Sequence, residues 1–510
     1  MELDIKKQKL NLSECLFQQK SEQTVDLEIN LPDYCSDIKR ILKCFVTPGL
    51  SSVQTAGDRI TAKGDVLVRL LYVDENEKID CYEQSAALNV FCQTKDMPEN
   101  PCVSAFGETQ YVNCRALSQR RFSVNASVCV NFSLWSRNQK EIVRSCGNDM
   151  IQTKGGSISA IESSIVGEKT FDLSETVALE ENKKAVGKIL RSDGNITVET
   201  SKSVNGKILV KGNMSVNILY CADSKEGDFV HLLHTMPISQ IVEISEINDK
   251  YKISLEPKIQ SLIVNTKTDS SGKNRFLEIT ARASVFVSAT KEKSIKYVTD
   301  CYCTDYEGEF AYDNFEFSAV ECIEKKKKAV SSSVDLSGQN VKEIIDVRPL
   351  SCSYASRTEE KKAIITATVV FSLLFADSKG KYQYSERSVD FSLDCEMKNA
   401  CSKIKPNISF VFENNSATPS GDKVNLSFNV SAEIEIFSLN QIRLLKSLKV
   451  DENAPKEANE AAIIVYYCSK GESYWEIAKR YNTAEKKIQE ENETEGELAD
   501  KERMLLIPCV

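Results

Sequence analysis

The sequence predicts a mainly β protein: three antiparallel β-rich repeats, each a sandwich or partly closed barrel with a short helix, followed by a small βααβ module. Three observations lead there. One pattern recurs three times in register, which decides an architecture before any motif does. Within each copy apolar and polar residues alternate with the period of a half-buried strand. After residue 450 the chain turns acidic and small, then resumes as two helical stripes between two short apolar runs.

The repeat is clearest in Ile60–Val73 (ITAKGDVLVRLLYV), Ile208–Cys221 (ILVKGNMSVNILYC) and Ala363–Ala376 (AIITATVVFSLLFA), which align Leu71-Tyr72, Leu219-Tyr220 and Leu374-Phe375. Upstream of each lies an apolar stripe at i, i+3, i+4: Ile38, Ile41 and Leu42, then Val186, Ile189 and Leu190, then Val341, Ile344 and Ile345. That spacing predicts one short helix per copy. From stripe to strand leucine the distance is 29 residues each time (42 to 71, 190 to 219, 345 to 374). A further alternating strand follows in each copy, around Ala126, Ala281 and Ala432, at variable distance, so length differences fall in loops. The repeats span 25–150, 180–320 and 335–450, with an N-terminal segment at 1–24. Asp33 and Asp37 flank the first helix, where one reads as an N-cap rather than a ligand. Tyr72, Tyr220 and Phe375, recurring at one position, read as repeated core packing.

With 74 acidic against 65 basic residues, the net charge of -9 supplies no phosphate-neutralising footprint, which excludes nucleic acid as a partner. The one basic run, Lys325–Lys328, reads as a solvated linker. Residues 1–20 carry no apolar signal-peptide core, and the longest near-apolar run, 363–376, is shorter than the ~20 residues a transmembrane helix needs. Eighteen cysteines are scattered from Cys15 to Cys509 without a CxxC pair, Cys301 and Cys303 being the closest couple. They read as small buried hydrophobes in a reducing cytosol, with no disulfide and no metal site.

Catalysis finds no support. The only histidines, His231 and His234, are three apart on a strand and so point to opposite faces. Gly187-Lys188 lacks the flanking residues of a phosphate loop, and no GxGxxG or GxSxG occurs. The expectation is a non-enzyme without cofactor.

Residues 451–462 (DENAPKEANEAA) read as an exposed acidic linker, leaving 463–510 as a separate, independently folding domain. Its first helix opens with Ser473 and, three residues on, Glu476, the spacing of a capping box. Tyr474, Ile477, Ala478 and Tyr481 form the buried stripe, and Trp475 lies off it. The second helix is expected to be capped by Thr483, to carry Glu485 in its first turn and Ile488 inward, and to end at Asn492. A tryptophan off the stripe is read as a partner-binding hot spot.

Two family resemblances follow from these residues. Leu31-Pro32-Asp33, the stripe and the strand ending Leu71-Tyr72 resemble the SPOCS domain of endospore-forming bacteria, a likeness that extends over most of 25–450. Tyr466, Gly471-Glu472-Ser473-Tyr474-Trp475, Ile477-Ala478, Tyr481, Asn492 and Leu505-Leu506-Ile507-Pro508 are similar to the LysM pattern. Cys468 and Glu502 depart from it, at a usual aliphatic and a usual glycine position. The LysM resemblance implies a groove for N-acetylglucosamine polymers at Gly471, Glu472, Ser473, Tyr474 and Asn492. Glu493, Glu495 and Glu497 on its rim would repel acidic peptidoglycan. SPOCS repeats joined to a C-terminal LysM resemble a family of clostridial spore-coat morphogenesis proteins, in which the LysM contacts a coat-basement ATPase. The resemblance implies a cytoplasmic, mother-cell scaffold at the developing spore surface, with a peptidoglycan-binding cell-wall protein as the alternative.

Overall fold

The computed structural model describes residues 5–509 apart from 96, 148, 225–227, 458–460 and 500. Eighteen strands make three units of six. The first unit holds β1 (Ile5–Asn30), β2 (Ile38–Ala56), β3 (Arg59–Asp74), β4 (Ile79–Gln93), β5 (Cys102–Ser118) and β6 (Arg121–Cys146). The second holds β7 (Ile151–Ala178), β8 (Val186–Val204), β9 (Lys207–Ala222), β10 (Phe229–Glu243), β11 (Lys252–Thr268) and β12 (Asn274–Cys303). The third holds β13 (Tyr306–Asp335), β14 (Val341–Glu359), β15 (Lys362–Asp377), β16 (Tyr382–Glu396), β17 (Ile404–Ser420) and β18 (Lys423–Pro455). The module follows as β19 (Ile463–Cys468), α1 (Tyr474–Arg480), α2 (Glu485–Glu491) and β20 (Arg503–Pro508).

Each unit is a sandwich of two antiparallel layers of three strands, ordered β1-β6-β5 against β2-β3-β4 in the first. A single parallel bridge, Asn11↔Ser163, joins β1 to β7, so that one layer of the first unit and one of the second form a six-stranded sheet. No sheet among the described residues closes into a barrel. Alternation along β3 and β6 sends Ile60, Val66, Leu70 and Tyr72 from one side to meet Phe122, Val124, Val128 and Phe132 from the other. The second and third units repeat this with Tyr220 and Phe375, both 0% exposed, in the place of Tyr72.

The expected short helices are absent: the stripes open β2, β8 and β14 instead. Two β-bulges interrupt each, between Ile38/Arg40 and Ile41/Lys43, Val186/Lys188 and Ile189/Arg191, and Val341/Glu343 and Ile344/Asp346. A bulge inserts one residue, so inward positions two apart become three apart. Two in succession convert a strand's period into Ile38, Ile41, Cys44, which imitates a helix. Asp33 and Asp37 therefore cap nothing; Asp37 pairs with Arg120 Nη1 at 2.6 Å. Arg120 also donates to the carbonyls of Leu31, Pro32 and Cys35, holding the turn into β2. In the second unit Arg275 does the same to Leu179, Glu180 and Lys183. The Tyr220 hydroxyl adds a bond to Lys184 O at 3.0 Å. The third unit has Asp422 and Phe375 at these places and neither contact, although Leu336 N still bonds Asp422 O as Leu31 N bonds Arg120 O.

Four further expectations change. Residues 5–24 belong to β1, which pairs with β6 from Ile5↔Cys146 to Asn30↔Arg121. Residues between the expected first and second repeats form β7. Lys325–Lys328 lie inside β13, paired with β18, and are no linker. The expected acidic linker begins as strand: Asp451 and Pro455 pair with Glu307 and Tyr306, and 458–460 fall outside the described residues.

The units close a ring. Leu190, Ile345, Leu71, Leu219, Leu374 and Ile79 bury together, with Leu42, Phe229 and Tyr382 against them, so corresponding positions of all three units share one apolar cluster. Around it run polar links between units: Lys188 to Asp80, Arg191 to Asp346 at 3.1 Å, and Lys43 to Glu386 at 2.7 Å. The long first and last strands of each unit extend beyond the sandwiches as three ribbons. Their bulges at Cys15/Phe17, Ile161/Ser163 and Val320/Cys322 mark the departure. Leu10 and Ile142, Ala160 and Ile295, and Phe317 and Leu444 bring one pair from each ribbon into a stalk core.

Candidate functional site

The C-terminal module is small enough that its helices have one side to bury. Tyr474, Ile477 and Ala478 (1%, 0% and 0% exposed) pack on Ile488 and on the inward residues Cys468, Leu505 and Ile507 of the two-stranded sheet. Tyr481, half-buried, stacks edge-on against Tyr466. The capping expectations differ. Ser473 is the N-cap of α1, but its hydroxyl makes no cap bond and is buried without a hydrogen-bond partner among the described residues, while its backbone bridges to Leu498. Ala484, not Thr483, caps α2; Thr483 is buried and turned to other use.

The residues expected to line a groove are drawn into the module's own bonding. Gly471, at φ +85°, turns the chain where an L side chain would be strained, and its N–H bonds Ala499 O at 2.8 Å. Glu472 accepts from Tyr466 Oη at 2.5 Å and Ser469 N at 3.1 Å. Tyr474 is enclosed. Asn492 ends α2 as expected, and its amide clamps that end to β20, giving to Ile488 O and Leu506 O and receiving from Leu506 N.

Trp475 leaves the helix stripe and is nevertheless 3% exposed, because the stalk covers it. Its ring meets Tyr302 edge-on at 4.9 Å, and its Nε1 donates to Asp300 Oδ2 at 2.8 Å. Lys479, one helical turn on, gives Nζ to both oxygens of Asp300 at 2.9 and 2.7 Å, and Tyr312 Oη bonds Oδ1 at 2.8 Å. Tyr302 Oη donates to Thr483 O at 2.6 Å, and Lys456 Nζ joins Cys303 O to Asn482 Oδ1 at 2.8 Å each. Burial raises the Asp300 carboxyl, but the donors Lys479, Trp475 and Tyr312 outweigh it and leave it below the usual aspartate range. Sequence reasoning missed Asp300 and Tyr302. The signal was the run Cys301-Tyr302-Cys303, all three buried: a strand covered on both faces loses its alternation.

What the module leaves open is the outer face of its sheet. Ile463 (47% exposed), Val465 (61%) and Tyr467 (75%) stand opposite Pro508, Leu506 and Met504 (56%) in three cross-strand apolar pairs. Among the described residues no helix or stalk side chain covers Val465 or Tyr467.

A second cluster lies in the third sandwich. Cys322 and Glu324 of β13 and Cys395 of β16 bring two sulfurs and a carboxylate oxygen within 4.8 Å of one another. Burial pushes the Cys322 thiol up to about 12, and the neighbouring Cys395 and Glu324 add to the shift. No motif spacing announces this group, since its members come from strands far apart in sequence.

No helix among the described residues is long and apolar enough to cross a membrane. No curated protein and no solved structure matches the chain. Residues 185–267, the β8-β9-β10 sheet of the second sandwich with the edge strand β11, match the family described as SipL, SPOCS domain, a non-catalytic family of sporulation, and this supports a SipL-like sporulation protein.

Proposed function

We propose that the chain is a non-enzymatic spore-envelope morphogenesis scaffold whose LysM-like module holds a coat-basement protein at the developing spore surface. The open apolar face of β19 and β20 carries the reading: water-exposed apolar residues in three adjacent pairs mark a protein contact rather than a sugar groove. The groove residues Glu472, Tyr474 and Asn492 already spend their polar groups or surface inside the module, which leaves a glycan few free partners. The ring of sandwiches supplies a rigid body at the far end of the stalk for further contacts.

The test uses the full chain with Val465→Lys or Tyr467→Asp. Both side chains are solvent-facing, so circular dichroism and melting temperature stay unchanged. Capture of the coat-basement ATPase-type protein from sporulating cells drops at least tenfold, about 1.4 kcal/mol. Undiminished capture, or retention of the chain on purified peptidoglycan, overturns the reading.

A further inference from the structure

The three sandwiches can be superposed position by position from the end of each first strand, where Leu31, Leu179 and Leu336 bond the carbonyls of Arg120, Arg275 and Asp422 alike. Phe17, Gln19 and Cys92 of the first unit thus correspond to Cys322, Glu324 and Cys395 of the third. In the second unit the same places hold Ile165, Gly167 and Val242. There the side of the sandwich is closed by apolar contact: Phe17 and Cys92 pack into the first core, Ile165 and Val242 into the second. Only the third unit puts two thiols and a carboxylate in that seam. Cys395 is 0% and Cys322 8% exposed, and Glu324 Oε1 is shut from solvent with the Lys326 ammonium 3.4 Å away. The Cys395 thiol has one long bond, to Ala363 O at 3.8 Å, and polar atoms so thinly paired in such a place cost stability unless something pairs with them more fully.

We propose that Cys322, Glu324 and Cys395 form a Zn(II)-binding staple that joins the edge strands β13 and β16 of the third sandwich. Two thiolates and one carboxylate are the donors a borderline-soft d10 ion prefers, and three protein ligands leave a fourth position for water. With bonds of about 2.3 Å to sulfur and about 2.1 Å to oxygen, small side-chain rotations bring ligand atoms already within 4.8 Å onto one ion. Charge also balances. Loss of both thiol protons to solvent leaves three negative charges, which the dication and Lys326, whose Nζ is 3.4 Å from Glu324 Oε1, cancel. The staple sits in the unit that lacks both the arginine clamp and the tyrosine hydroxyl of the other two.

The test is titration of the reduced, metal-free full chain with Co(II), followed by Zn(II). Expected are a thiolate-to-cobalt charge-transfer band and the ligand-field spectrum of a tetrahedral ion, saturating at one equivalent and bleached by Zn(II). Cys322→Ser with Cys395→Ser removes the band. Glu324→Gln, at a partly exposed position that keeps the fold, raises Kd at least about tenfold. Cys352→Ser, a thiol elsewhere in the same sandwich, leaves both spectrum and Kd unchanged. The proposal is overturned by absence of the charge-transfer band, by equal Kd in Glu324→Gln and Cys352→Ser, or by a Cys322–Cys395 disulfide that persists in reductant.

Discussion

Trp475 of the C-terminal module and Asp300 of the second sandwich's last strand are joined by one hydrogen bond, indole Nε1 to carboxylate Oδ2, at 2.8 Å. That bond, the Tyr302 ring and Lys479 seat the module on the stalk. Trp475→Ala therefore frees the module without unfolding it. Limited proteolysis of the full chain between residues 455 and 462 should accelerate several-fold, while Ile477→Asp, in the module core, unfolds the module outright. If Trp475→Ala leaves the cleavage rate unchanged, the seam does not hold the module.

The seam has an acid limit. Asp300 has a depressed carboxyl in the folded chain, so its contribution is complete above the ordinary aspartate range and is lost as pH falls through the lower folded value. Module undocking, followed by the same cleavage assay or by Trp fluorescence, should set in on the acid side of that range. Asp300→Asn should bring the undocked behaviour to neutral pH.

Arg191 and Asp346 (11% and 8% exposed side chains) form a buried ion pair between the second and third units. Asp346→Ala leaves the guanidinium with Asp193 as its remaining carboxylate, 3.0 Å from Nη1, and should cost about 2 kcal/mol, read by denaturant unfolding. Arg191→Met combined with Asp346→Leu should recover part of that loss, since the penalty comes from a buried guanidinium that has lost one of its two carboxylates.

Arg275 and Tyr220 both hold the turn into β8. Arg275→Met removes a charged donor from three carbonyls and should cost about 2 kcal/mol, whereas Tyr220→Phe loses one neutral bond and should cost about 1 kcal/mol. Both losses should appear in the midpoint of denaturant unfolding with an unchanged slope.

The sequence carried the threefold repetition, the sandwich pattern and the βααβ order because each writes a period into the chain. It misled where the period is edited. The paired bulges at Ile38/Arg40 and Ile41/Lys43 turned a strand's alternation into a helical stripe. β1 and β7, whose outward positions carry Lys, Ser and Glu, looked like an N-terminal segment and a spacer. The site was legible as a list and not as a place: Trp475 stood out from its stripe, but nothing local could say that Tyr302, far upstream, covers it. Cys322 and Cys395 were equally invisible as neighbours, since only the closing of β13 against β16 brings them together.

The pairing of first strand with last in each sandwich also bears on how the chain is made. β1 finds its partner only when Arg121–Cys146 has been synthesised, β7 waits for Asn274–Cys303, and β13 for Lys423–Pro455. On the ribosome the molecule thus matures in three discrete steps rather than continuously, and during each step one long strand stands with unpaired edges. The polar and charged residues of β1 and the glycines Gly155 and Gly156 of β7 make those waiting strands poor templates for pairing with another chain.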